Sequence, residues 1–109
     1  MRQYSARIYE AVAAADRTQP GVQLGCACID AQVPVQVVAK WFGVSRQAIY
    51  DWFTGNTGVR QKHEARIESI VKVLNRAVDA GALPAATLAE TMMAIKQYKE
   101  VIKNESPQN

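Results

Sequence analysis

Apolar residues recur along this chain at helical spacing, and the breaks between them are marked by Pro and Gly. Tyr4, Ile8, Ala11, Val12 and Ala15 fall 4, 3, 1 and 3 residues apart, which predicts one face of a helix over residues 4–16. Arg17-Thr18-Gln19-Pro20-Gly21 interrupts it. Leu24, Cys28 and Ala31 predict a second helix over 22–31. Gly25 inside it either weakens the helix by roughly 1 kcal/mol relative to Ala or marks a close helix contact. Val33-Pro34 ends that helix, and Pro34 suits the first position of the next, where its missing N–H costs nothing.

Two short helices follow, Val35–Phe42 and residues 45–53, and then a polar loop, TGNTG, over 54–58. A long helix from Val59 or Arg60 to about Ala80 presents Ile67, Ile70, Val71, Leu74, Ala77 and Val78. Gly81 caps it and Pro84 prevents continuation. The last helix is expected over 84–104, with Leu88, Met92, Ile95, Tyr98 and Ile102 as its stripe. No strand candidate, internal repeat or low-complexity segment is present. The pattern therefore predicts an all-α, compact bundle of about five to six helices with a long C-terminal helix pair. By segment, 1–20 form an N-terminal helix or arm and 21–83 the central domain. Residues 84–104 form a C-terminal helix offering a dimer interface, and 105–109 a disordered tail.

The stretch from Val35 to Gly55, VQVVAKWFGVSRQAIYDWFTG, carries the most information. Ala39 stands four residues before Gly43, where two crossing helices need a small side chain. Gly43 supplies the positive φ of a tight turn. Val44 plugs the core beneath it, and Ser45 is an N-cap for the second helix. Val38, Ile49 and Trp52 point inward, which leaves Ser45, Arg46, Gln47, Tyr50 and Asp51 facing out. That is how a helix-turn-helix offers side chains to a DNA groove.

These positions resemble the phage-repressor/Cro type of helix-turn-helix, in which a small residue, a Gly-Val-Ser turn, an Ile and a Trp-x-x-Gly ending recur in order. Here they are Ala39, Gly43-Val44-Ser45, Ile49, and Trp52 with Gly55. The resemblance covers roughly residues 22–81. It implies a bundle of about five helices and a sequence-specific, dimeric DNA-binding regulator. Carried over by position, Arg46, Gln47 and Asp51 reach base edges, with Tyr50 alongside. Arg pairs with guanine and Gln with adenine through two hydrogen bonds each, and Asp51 accepts from cytosine or orients Arg46. Ser45, Asn56, Thr57, Arg60 and Lys62 fall on phosphate. Many members carry a phosphate-binding Gln at the start of the first helix of the pair. Val35 holds that place here, and Gln36, one residue late, is the phosphate candidate on this helix.

Charge adds to this picture. The net charge is +3, yet residues 33–76 alone hold seven Lys and Arg against three acids, a local +4. Cys26 and Cys28 are too close for an unstrained disulfide. Only His63 would join them as a favoured metal ligand, so free thiols and no metal or cofactor are expected. Free thiols suit a reducing cytosol. No apolar run reaches membrane-spanning length, and Arg7 and Glu10 interrupt any signal-peptide core. A cytoplasmic or nucleoid protein with no membrane contact is the expectation. The one His lies among charged residues, away from any hydrolase constellation, so no enzyme and no small-molecule substrate is expected. The expected partners are double-stranded DNA and a second copy. The other open reading is a phage protein-interaction module on the same fold, either RNA polymerase-binding or a small terminase-like packaging subunit.

Overall fold

The computed structural model describes residues 3–105, which form six helices. The tail expected over 105–109 lies outside them, apart from Glu105 at the end of the last helix. The centre of the fold is α2 (Pro20–Ala31), an unusual helix in that nearly every side is covered. Val22, Leu24, Cys28 and Ala31 are wholly buried. Around it pack α1 (Ala6–Ala13), α4 (Arg46–Phe53) and α5 (Gln61–Asp79). The helix α3 (Val35–Phe42) lies against α4, and α6 (Leu88–Glu105) lies against α5. The all-α bundle that the apolar pattern predicts is the observed architecture.

Two glycines let α4 reach α2. A Cβ at Gly25 would lie 2.9 Å from Cβ and Cγ of Phe53, and one at Gly21 would lie 2.8 Å from the backbone oxygen of Trp52. The pair, four residues apart, makes a bare stripe on α2. The end of α4 seats directly on this backbone. Gly25 thus marks a close contact. Phe53 is fully buried there, its ring centroid 6.2 Å from that of Tyr4.

Several helix ends depart from the sequence reading: α1 runs over Ala6–Ala13, inside the expected 4–16, and the starts of two other helices shift for local reasons. Pro20 opens α2 rather than breaking the chain ahead of it, because Pro is pre-organised for the first helical turn. The last helix begins at Leu88, not near Pro84. Thr87 sets that start: its Oγ1 accepts the amide of Glu90 at 3.1 Å, half of a capping box that the Thr-x-x-Glu spacing encodes.

The inward faces of the last two helices also differ from expectation. On α5, Val73 joins Ile67, Leu74 and Ala77 in the core, since this helix packs on both α2 and α6 and buries a wider arc. On α6, the small Thr91 and Ala94 are buried, while Leu88 and Met92 stay 43% and 37% exposed. Thr91 tolerates burial because its hydroxyl donates to the Thr87 carbonyl at 2.9 Å. Ile95, Tyr98 and Ile102 of the expected stripe are half-buried, so the contact face is rolled from that stripe toward Thr91 and Ala94.

The N-terminal segment is tied to the bundle by side chains. The buried Tyr4 hydroxyl donates to the Val33 carbonyl. Burial pushes its pKa up, with lesser contributions from Cys28, Tyr50 and Tyr9. Gln32 ends α2 in a left-handed conformation, φ 55°. Its side chain donates to the Ile29 carbonyl and to Tyr9, and accepts from the Gln3 amide at 2.7 Å. Those bonds offset the strain of a non-Gly residue at positive φ.

Candidate nucleic-acid interface

The turn between α3 and α4 is built as its sequence requires. Gly43 sits at φ 66°, and its amide and that of Val44 close back on α3, the latter donating to Ala39 at 3.1 Å. This is the usual glycine ending of a helix. A Cβ at Gly43 would touch nothing within 4 Å, so the demand for glycine there is conformational, not steric. Ser45 then caps α4 by accepting the Ala48 amide at 3.1 Å. Val38 and Ile49 are fully buried, and Ala39 and Trp52 nearly so, which locks the two helices together.

That packing fixes which residues of α4 face solvent. Ser45, Arg46 and Gln47 are exposed on its first turn. Asp51 and Tyr50, one turn later, are half-buried, and Tyr50 leans on the core. The Gln47 amide nitrogen donates to Asp51 Oδ1 at 3.1 Å. The partner of Asp51 is therefore Gln47, where sequence had offered Arg46. An ionised carboxylate only accepts, so the NH2 end of Gln47 must face it. One N–H and the carbonyl oxygen of Gln47 still point elsewhere.

The loop after α4 folds back under the same edge. Gly55 at φ 77° lets the amides of Asn56 and Thr57 donate to the Asp51 carbonyl at 2.9 and 3.3 Å. Both side chains remain exposed. The next helix starts without any side-chain cap: Arg60 holds the N-cap position, and Arg60 and Lys62 are exposed at that end. Gln36 is exposed on the first turn of α3. Each of the ten sequence-derived candidates thus retains solvent access.

Two further residues sit beside this group. The His63 ring lies 5.6 Å from Phe42 and 5.4 Å from Trp52, ring centroid to ring centroid. Desolvation against those rings, then the charges of Lys62, Arg60 and Arg66, hold its pKa below the ordinary histidine value. The Arg66 guanidinium lies 5.8 Å from the centre of the Phe42 ring, a cation–π contact. Sequence reasoning did not single out Arg66. Its spacing of four from Lys62 places both on one helix face, which was the available signal.

Among the described residues, no group of three or more His, Cys, Asp or Glu is arranged to hold a metal ion, and no helix is long and apolar enough to cross a membrane. Cys28 is fully buried, which pushes its thiol pKa up, and Cys26 is half-buried; both are free. No protein-family model matches the chain, and no curated protein or solved structure is significantly similar to it.

Proposed function

We propose that this protein binds double-stranded DNA in a sequence-specific manner, as a transcriptional regulator that lays α4 in the major groove. One observation carries the reading: the first turn of α4 presents Arg46 and Gln47 to solvent, and the uncapped start of α5 exposes Arg60 and Lys62. Base-reading and phosphate-holding groups are then supplied from two helix starts. The bond from Gln47 to Asp51 suits this role. It orients the amide, yet leaves the N–H and oxygen that a bidentate contact to adenine needs. Asp51 in this view is a positioning residue for Gln47.

Binding to a twofold site would use a second copy, and α6 supports that with Leu88, Met92 and Met93 exposed, the last at 71%. The same exposed face suits the other reading, a phage interaction module, in which α6 contacts a different protein.

Fluorescence anisotropy on a labelled random duplex, followed by selection of preferred sites, tests the proposal. Replacing Arg60 and Lys62 by Ala should weaken binding to every sequence and lower the salt slope by about one unit per lost contact. Arg46→Ala with Gln47→Ala should flatten the preference between sequences far more than it weakens random-duplex binding. No salt-dependent binding at low ionic strength would overturn the reading. Light scattering then separates a dimer from the larger ring of a packaging subunit.

A further inference from the structure

A recessed site lies between α3, α5 and α6, with Arg66 at the edge it shares with the candidate interface. It is a cavity of about 220 Å³ lined by Trp41, Ile70, Val73, Leu74 and Ile95, with Arg66, Ser69 and Lys99 at its mouth. The burial pattern gives it a floor, walls and a rim. Val73 and Leu74 are buried beneath; Trp41, Ile70 and Ile95 are half-buried at the sides; the three polar residues are exposed.

We propose that this cavity binds a small aromatic carboxylate. Three features specify that class. The volume exceeds the roughly 150 Å³ of an apolar cavity that holds benzene, which leaves room for a ring system with one polar substituent. Trp41 lines the cavity, and an indole is a side chain against which an aromatic ring packs well. Among the described residues the rim carries two cations and no acid, and neither Arg66 nor Lys99 forms an ion pair. Arg66 is already steadied over the Phe42 ring, so less of its freedom is lost when it engages an anion. The Ser69 hydroxyl is a further donor for a carboxylate oxygen. A neutral aromatic would fill the cavity but leave both cations unused, and a cationic one would be repelled by them. The site stands on its own geometry and does not depend on DNA binding.

Heteronuclear NMR on the intact chain tests it, with 2-naphthoate as the probe and 2-naphthamide as its uncharged counterpart. The chain has two tryptophans, so the Trp41 indole N–H is assigned by its loss in Trp41→Phe. The carboxylate should shift the Trp41 signal and leave that of the buried Trp52 still. It should bind about tenfold or more tightly than the amide, the worth of one good hydrogen bond to a charged group. Lys99→Gln, at an exposed position that does not endanger folding, and Arg66→Gln should each remove most of that preference. Equal binding of acid and amide would overturn the proposal. So would a Trp41 signal that ignores both probes, or a preference that survives both substitutions. A Trp41 signal that moves with protein concentration alone would also overturn it, since a second copy would then be the occupant.

Discussion

Adding one methyl group at Gly25 should dislodge α4 from α2. The new Cβ would stand 2.9 Å from both Cβ and Cγ of Phe53 and 3.1 Å from its Cα. Carbon atoms in good contact sit about 3.5–4.0 Å apart, so α4 must retreat by at least about half an ångström. Phe53 cannot swing aside, because it is fully buried with Tyr4 behind it. Overpacking of this kind costs about 1–3 kcal/mol. Against it, Ala in place of Gly favours a helix by about 1 kcal/mol. The net expectation is a loss of up to about 2 kcal/mol, with the clash winning because the nearest atoms belong to a ring base and a backbone carbon rather than a flexible tip. Gly58→Ala is the control, since a Cβ there meets nothing within 4 Å. It should be neutral or stabilising by several tenths of a kcal/mol. Urea unfolding followed by circular dichroism measures both. A Gly25→Ala protein as stable as the Gly58→Ala control would refute the claim that a bare backbone stripe seats α4.

The remaining predictions concern the turn, the histidine and the thiols. Gly43→Ala should cost about 1–2 kcal/mol by forcing a side chain into left-handed backbone at φ 66°, read by the same urea midpoint. Ser45→Ala should cost about 0.5–2 kcal/mol through loss of the cap on the Ala48 amide, whereas Ser45→Asp should largely retain it. His63 has its pKa lowered by the fold, so its effect on stability is absent well above pH 6.5 and becomes a loss as the pH falls through and below that value. His63→Gln should remove that part of the acid sensitivity in stability curves taken at several pH values. If DNA phosphate lies beside it, DNA should raise the His63 pKa, and an NMR titration with and without duplex would show the shift. Cys26, half-buried, should react with a disulfide reagent ahead of Cys28, which is buried, has its thiol pKa raised and should react only as the protein opens.

How far the fold could be read in advance depended on whether a local signal fixed each feature. The α3–α4 pair was legible to the residue because its turn has no alternative chemistry: Gly43 must take positive φ, and Ser45 must cap. Gly81 likewise ended α5 through its φ of 78°. The roll of α6 was legible only in part. Ile95 and Tyr98 of the expected stripe do pack against the core, but the buried positions are the small Thr91 and Ala94, which large apolar residues do not mark. Close packing onto α5 selects small side chains, and nothing within α6 itself reports how near its neighbour comes. Gly21 and Gly25 follow the same logic. Their spacing is visible in sequence, but the reason for it, the end of α4, arrives only through tertiary structure.

For the candidate interface the same division separates position from pairing. Exposure of Arg46 and Gln47 follows from the inward places of Ile49 and Trp52 on one short helix, so it was fixed by spacing. The sequence offered Arg46, five positions before Asp51, as its protein partner, and the observed partner is Gln47, four positions before it. Helical geometry favours the latter, since residues four apart share a face while residues five apart diverge by about 140°. The Gln47 partner is therefore the one that the backbone permits. It alters what the acidic residue means on the proposed reading face. An unpartnered Asp51 would oppose phosphate and weaken all DNA binding. A hydrogen-bonded Asp51 still carries its charge, but it restrains the amide that would read a base. Asp51→Ala separates these effects, where Asp51→Asn would not, because an Asn side-chain oxygen still accepts from Gln47. Relief of repulsion alone would strengthen binding to every sequence equally. Loss of Gln47 positioning would narrow the gap between preferred and random duplex, and the geometry of the 3.1 Å bond favours the second outcome.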